Sequence, residues 1–321
     1  MKKILVIGGE GFIGWHIVNF LRAELHTEVH ILSRSPKENP FEGVPFHVKN
    51  LWEMPNQEVI TFLSQFSQLV FTGGADERNP IQDKARDFFY EANVTTCVKL
   101  VQWAEAANLE KVVISGSYFT AFHRQHPEWK MEEYHPYAAS RIEQQRACIA
   151  ASTGKTAVIV LELPYIFGAV KHKIPLWKPL VNYVKFSPVI FYTDGGTLMV
   201  SVETVAKAAI GALHHAKHGD CLLIGDKNWT WKQLLSEMAT ALGKKRSIIT
   251  VPTFLVKGFS YLILLYFKVF GKEYGLHPVE YMNAQTNFTY FDTQATAEYL
   301  HYQATDLKQA IRETVERCEA S

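Results

Sequence analysis

The chain has 321 residues, of which 47% are hydrophobic and 20% charged. That excludes a disordered polymer and allows one large domain, or two intimate ones, around a sizeable core. A formal net charge of +1 excludes a general polyanion or nucleic-acid binder, and the run Lys244-Lys245-Arg246 reads as a solvated loop.

The first strand is read in "KILVIG" (3–8) and the first helix in "FIGWHIVNFLRAEL" (12–25). "EVHILS" (28–33) is a second strand, "PFHVKN" (45–50) a third, and "QLVFTG" (68–73) a fourth that ends in glycines. From Asn93 onward, Val94, Cys97, Val98, Val101 and Ala104 follow helical spacing. "KVVISGS" (111–117) is the next strand, then a helix around "HPYAASR" (135–141), then "TAVIVLEL" (156–163). This alternation predicts an α/β fold, a doubly wound parallel sheet with helices on both faces. After Gly168 the rhythm breaks, although "TLMVSVETVAKAAIGALHH" and "GDCLLIG" read as further strand–helix–strand material. The expected organisation is a dinucleotide-binding domain over 1–168, with sheet elements returning at about 197–225. A smaller interleaved C-terminal lobe for substrate would take 169–196 and 226–321.

"FLVKGFSYLILLYFKVFG" (254–271) is the one membrane-like stretch. Its apolar run between Lys257 and Lys268 is shorter than the roughly 20 residues of a spanning helix, so a helix buried in the lobe or in a homodimer is expected, ahead of one lying at a membrane interface. Four widely separated cysteines, Cys97, Cys148, Cys221 and Cys318, fit reduced thiols. The apolar run of "MKKILVIGG" is too short for a signal peptide, which makes the cytoplasm the expected location.

"VIGGEGFIG" sets Gly8, Gly11 and Gly14 between the first strand and the first helix. Glycines there allow a tight turn and bring bare backbone to a pyrophosphate, while the helix N-terminus supplies N–H groups and a favourable dipole. A dinucleotide site follows. At the end of the second strand an acid would hold the adenosine ribose hydroxyls and repel a 2′-phosphate; Ser33-Arg34 stand there instead. A guanidinium beside a hydroxyl favours NADP(H) over NAD(H), although an arginine stacked on adenine would serve either cofactor.

In "HPYAASR", Tyr137 and Arg141 are four residues apart, on one face of a helix opened by Pro136. A cation about 4 Å from a phenol contributes roughly 4 kcal/mol at an effective dielectric of ~20, enough to bring the hydroxyl from pH 10 towards neutrality.

Together these motifs resemble the extended short-chain dehydrogenase/reductases, the NAD(P)-dependent epimerase/dehydratase group, over nearly the whole length. The resemblance rests on the glycines at 8–14, "TGGAD", "NVTTCVKLVQWA" opened by Asn93, "VVISGS", "YAASR", "LELPYIFG", "VSVETVAKAAIGAL" and "DTQATAEYL". It implies that Tyr137 is the acid/base for a substrate hydroxyl, that Ser117 hydrogen-bonds the same oxygen, and that Arg141 holds the nicotinamide ribose. The cofactor site it implies comprises Gly8, Gly11, Phe12, Ile13, Gly14, Ser33, Arg34, Thr72, Gly73, Gly74, Asn93 and Ser115, with Tyr137, Arg141, Pro164 and Tyr165. Two positions depart from the family. Arg141 stands where it has lysine, and Tyr165 where its nucleotide-sugar members often have Asn. Two function classes follow: an enzyme transferring hydride at a secondary alcohol or ketone of a small molecule, which includes nucleotide sugars, or a dinucleotide-binding sensor without turnover.

Other candidates carry less. His214 and His218 have ligand spacing without a third ligand, so no metal is expected. "HRQH" (123–126) reads as a loop near the substrate entrance, and Ser117 has no Asp/His arrangement of a hydrolase.

Overall fold

The computed structural model describes residues 2–35, 38–77, 81 and 84–320. In chain order the strands are β1 (Lys2–Ile7), β2 (Thr27–Ser33), β3 (Phe46–Val48), β4 (Gln68–Phe71), β5 (Lys111–Ser115), β6 (Ala157–Glu162) and β7 (Tyr165–Phe167). They continue with β8 (Val189–Thr193), β9 (Gly196–Ser201), β10 (Cys221–Leu223), β11 (Lys227–Thr230), β12 (Ser247–Val251) and β13 (Phe288–Thr289). The helices are α1 (Phe12–Leu21), α2 (Asn56–Leu63), α3 (Ala85–Phe89), α4 (Thr96–Ala106), α5 (Phe119–Gln125), α6 (Met131–Tyr134) and α7 (Pro136–Ala150). There follow α8 (Lys178–Phe186), α9 (Val202–His215), α10 (Trp231–Ala241), α11 (Thr253–Val269), α12 (Met282–Gln285), α13 (Gln294–Tyr299) and α14 (Leu307–Glu319).

Seven strands form a parallel sheet in the order β10-β6-β5-β4-β1-β2-β3. The period of two in β1 divides the core. Ile4 and Val6 face Ile17, Val18 and Leu21 of α1 with Val205, Ala209 and Ala212 of α9, whereas Leu5 and Ile7 face Val59 of α2 and Leu100 and Val101 of α4. Both faces are covered, which is why these strands read as unbroken apolar runs. The doubly wound α/β sheet is thus the one predicted. β9 departs from expectation: it joins a second sheet, between β11 and β13 and also beside β7, and only β10 returns to the main one.

Two local readings are corrected. The helix expected to open at Asn93 begins at Ala85 and passes through a π-helical turn, Tyr90–Thr95, before α4. "HRQH" is largely helix: His123 and Arg124 lie in α5, and Arg124 donates two 2.7 Å bonds to the fully buried Glu162 carboxylate. His126 stacks on Trp129, so these side chains fasten α5 to the body rather than line an entrance. His214 and His218 also part company, the first facing Glu24 and the second accepting the Val158 N–H.

The helix predicted near 254–271 forms as α11, but it is not buried. Ser260 is its one buried residue, and α12 is the element that packs on it most. No helix among the described residues is long and apolar enough to cross a membrane.

Candidate active site

The chain leaves β1 through Gly8, whose φ of +83° suits glycine. A Cβ on Gly14 would lie 2.2 Å from the Gly8 carbonyl oxygen and 2.8 Å from the Gly9 Cα, so α1 can start this close to the loop only without a side chain. At Gly11 the contact would be 3.0 Å to the same oxygen. The first turn of α1 has neither a side-chain cap nor an acid. Its N–H groups and dipole therefore point at space suited to an anion, and the pyrophosphate of a dinucleotide fits this cradle. A strap of chain after β7 crosses the loop: His16 Nε2 lies 3.1 Å from the Ala169 carbonyl and His172 Nε2 2.8 Å from that of Glu10. Burial holds His16 below its ordinary pKa, so its ring is neutral.

At the end of β2 the Ser33 hydroxyl is already engaged within the protein. The buried Ser33 hydroxyl donates to Glu10 Oε1 at 3.0 Å and lies 2.8 Å from the Ser35 carbonyl, while Arg34 is exposed. The glycine loop thus brings a carboxylate to the strand end from residue 10.

At the other end a cavity of about 410 Å³ opens beside α7. Of the predicted residues, Phe12, Ile13, Thr72, Gly73, Gly74, Ser115, Ser117, Tyr137, Arg141, Pro164 and Tyr165 line it. Gly8, Gly11, Gly14, Ser33 and Arg34 belong to the loop end, and Asn93 lies behind the wall. Fully buried in the π-helical turn, Asn93 accepts the Ala75 N–H at 2.8 Å and donates to Ser140 Oγ at 3.0 Å. Arg141 is also buried; it donates to the Ser115 carbonyl and, at 3.5 Å, to Asn93 Oδ1. Its guanidinium carbon stands 5.9 Å from the Tyr137 ring centre. Gly74 makes room for this arrangement. At its φ of +138°, a Cβ would meet Asn93 Oδ1 at 2.9 Å and Arg141 Nη1 at 3.0 Å.

With this geometry in view, a model of the NAD dependent epimerase/dehydratase family matches residues 4–225, more than half of the chain. The chain belongs to that family. No curated protein matches the sequence. Among solved structures, that of gox2253 is similar with a TM-score of 0.81 at 17% identity, covering 100% of this chain and 98% of its own. UDP-glucuronic acid 4-epimerase from Bacillus cereus in complex with NAD gives 0.69 at 14% identity, with 99% of each chain covered. MoeE5 in complex with UDP-glucuronic acid and NAD gives 0.68 at 17%, again over 99% of each. At these identities the likeness is one of fold; the membership rests on the family model, and the family is one of NAD-dependent enzymes.

The electrostatics of this epimerase/dehydratase-family site correct the sequence reading. Tyr137 does not approach neutrality; its pKa is pushed up to about 12. Burial outweighs the cation of Arg141, and Glu77 and Asp76 push the same way as burial, while a hydrogen bond with Ser117 pulls down. The phenol is therefore neutral at working pH. Tyr165 stands in a network of hydroxyls: its Oη is 2.7 Å from that of Tyr281, and Gln285 Nε2 donates to both. Burial raises the pKa of both tyrosines.

No local signal marks the acids Asp76 and Glu77, the aromatic walls Tyr118, Phe119 and Trp177, or His135. All but His135 line the cavity; the acids follow the glycines of "TGGADE", which was a hint of position but not of direction. His135, the N-cap of α7, accepts the His277 N–H at Nδ1 (3.0 Å), and the Tyr137 N–H donates to the Gly275 carbonyl at 2.9 Å. Burial, with His277 nearby, lowers the His135 pKa to about 4. The segment 275–277 is thereby fastened to the helix that carries Tyr137.

Proposed function

We propose that the protein interconverts a secondary alcohol and a ketone of a small molecule, with Tyr137 as acid/base. The observation that supports this most is the setting of Arg141. A degenerate site would leave a stray cation, but here Gly74, Asn93 and the Ser115 carbonyl form a fitted receptacle for the guanidinium. A nicotinamide supplies or accepts the hydride when bound. The chain's own groups manage the proton: in reduction the neutral Tyr137 phenol gives its proton to the carbonyl oxygen, and in oxidation the phenolate takes it back. Ser117 hydrogen-bonds that oxygen, and Arg141 stabilises the phenolate. Residues 1–168 with the returning α9 and β10 would serve the cofactor and the remainder the substrate.

For the cofactor we infer NAD(H), in place of the NADP(H) read from Arg34. The Glu10 carboxylate at Ser33 suits ribose hydroxyls and repels a 2′-phosphate. For the substrate, Tyr118, Phe119, Tyr165 and Trp177 favour an apolar body carrying the carbinol, ahead of the nucleotide sugars bound by the structural neighbours. The test is Tyr137→Phe assayed against a panel of apolar ketones and UDP-sugars. Turnover should fall 10²- to 10⁴-fold while cofactor affinity stays within about threefold, and Arg141→Lys should keep part of the activity. Full activity in Tyr137→Phe would remove the tyrosine from the chemistry; no turnover in the wild type on either class would favour the sensor.

A further inference from the structure

α11 is the least accounted-for element of the fold. Phe254, Leu255, Phe259, Tyr261, Leu262, Leu265, Tyr266, Val269 and the adjoining Phe270 are all exposed, by 45% to 73%. At 3.6 residues per turn these positions, with Gly258, fill about half the helix circumference without a charge among them. The opposite face packs inward through Ser260 and the half-buried Val256, Ile263, Leu264 and Phe267. Such an unbroken apolar face marks a binding surface.

Charge decides between its possible occupants. Residues 244–272 contain Lys244, Lys245, Arg246, Lys257, Lys268 and Lys272, and no Asp or Glu. With 33 basic and 32 acidic residues overall, these six leave 27 against 32, a net −5, on the rest of the chain. A second copy docked face to face would set this cationic segment against itself. An anionic lipid surface would receive both the apolar face and the exposed Lys268 and Lys272 at its C-terminal end. The helix has 17 residues, about 26 Å at 1.5 Å each, long enough to lie in an interface and too short to span.

We propose that α11 is an in-plane anchor that seats the protein on an anionic bilayer, its apolar face among the acyl chains. It does not depend on the activity proposed above. Lys257 Nζ donates to Asn283 Oδ1 of α12, and Gln285 of the same helix donates to Tyr165 in the cavity wall. One short helix, α12, therefore stands between the anchored helix and the cavity wall.

Flotation of the full chain with vesicles tests this, using phosphatidylcholine alone and phosphatidylcholine with 30% phosphatidylglycerol as probes. The wild type should float with the anionic vesicles at least tenfold better than with neutral ones. Leu262→Glu/Leu265→Glu should abolish flotation, and Lys268→Glu/Lys272→Glu should remove the preference for anionic lipid. Circular dichroism and the melting temperature verify that each variant is folded; since the substituted side chains are exposed, both should match the wild type. Wild-type protein that stays unbound with both vesicle types overturns the proposal. A wild-type dimer in light scattering, split by Leu262→Glu/Leu265→Glu, would then assign the face to a second copy.

Discussion

The two ends of the cleft are built by different means. At the glycine loop the chemistry is done by backbone: a turn at positive φ, a helix start pressed against it, and uncapped N–H groups. At Tyr137 the parts come from distant segments: Asn93 Oδ1 and the Ser115 carbonyl accept from the Arg141 guanidinium, and the Gly275 carbonyl accepts the Tyr137 N–H. A local backbone site is fixed by what is absent from a few neighbouring positions. An assembled site depends on every element that delivers a member, and so can be loosened from far away.

Acid should expose that difference most strongly. His135 has a folded pKa of about 4 against 6.5 when free. Its contribution is complete above pH 6.5 and is lost as the pH falls from there towards 4, because the unfolded chain binds the proton first; the ceiling is about 3 kcal/mol. Urea unfolding at pH 7.5 and 4.5 should show this loss, reduced in His135→Gln. Hydrogen exchange at pH 5 should deprotect the amides of Tyr137 and His277 before that of Trp15. Equal loosening of both ends would erase the contrast.

A somewhat smaller effect is expected at the loop. Gly11→Val should weaken dinucleotide binding about 100-fold, or roughly 2.7 kcal/mol, in calorimetric titration. The melting temperature should barely move, because the Cβ meets one oxygen at 3.0 Å. Unchanged affinity would remove the loop from the site. The smallest shift concerns cofactor choice. Glu10→Ala should move the NAD(H)/NADP(H) affinity ratio about tenfold towards NADP(H), and Arg34→Ala should change either affinity by less than about threefold. A selective loss of NADP(H) in Arg34→Ala would restore the reading from the strand end.

The same contrast explains what was legible in the sequence. The doubly wound sheet and the glycine loop could be read because their signals are local: apolar runs, glycine spacing, and a helix directly after a strand. Motifs single out Tyr137, Arg141 and Ser117 as candidates, but the phenol's pKa is not legible from them, since burial and the acids at 76 and 77 come from packing that spacing does not record. Glu10 carries no signal of its own within the glycine motif, because its partner, Ser33, is 23 residues away. For α11 the helix was readable and its environment was not, since apolarity says that a face must be covered without saying by what.

Gly74 and Arg141 have an evolutionary corollary. The space at residue 74 and the guanidinium at 141 form a matched set, since a Cβ at 74 would collide with the Arg141 fork. The demand on residue 74 is the stricter of the two: its φ of +138° and Asn93 Oδ1 at 2.9 Å disfavour a side chain there whichever cation stands at 141. Homologues should therefore retain glycine at 74 beside lysine as well as beside arginine, and a survey of the two columns would show whether the cation was exchanged within a turn already fixed.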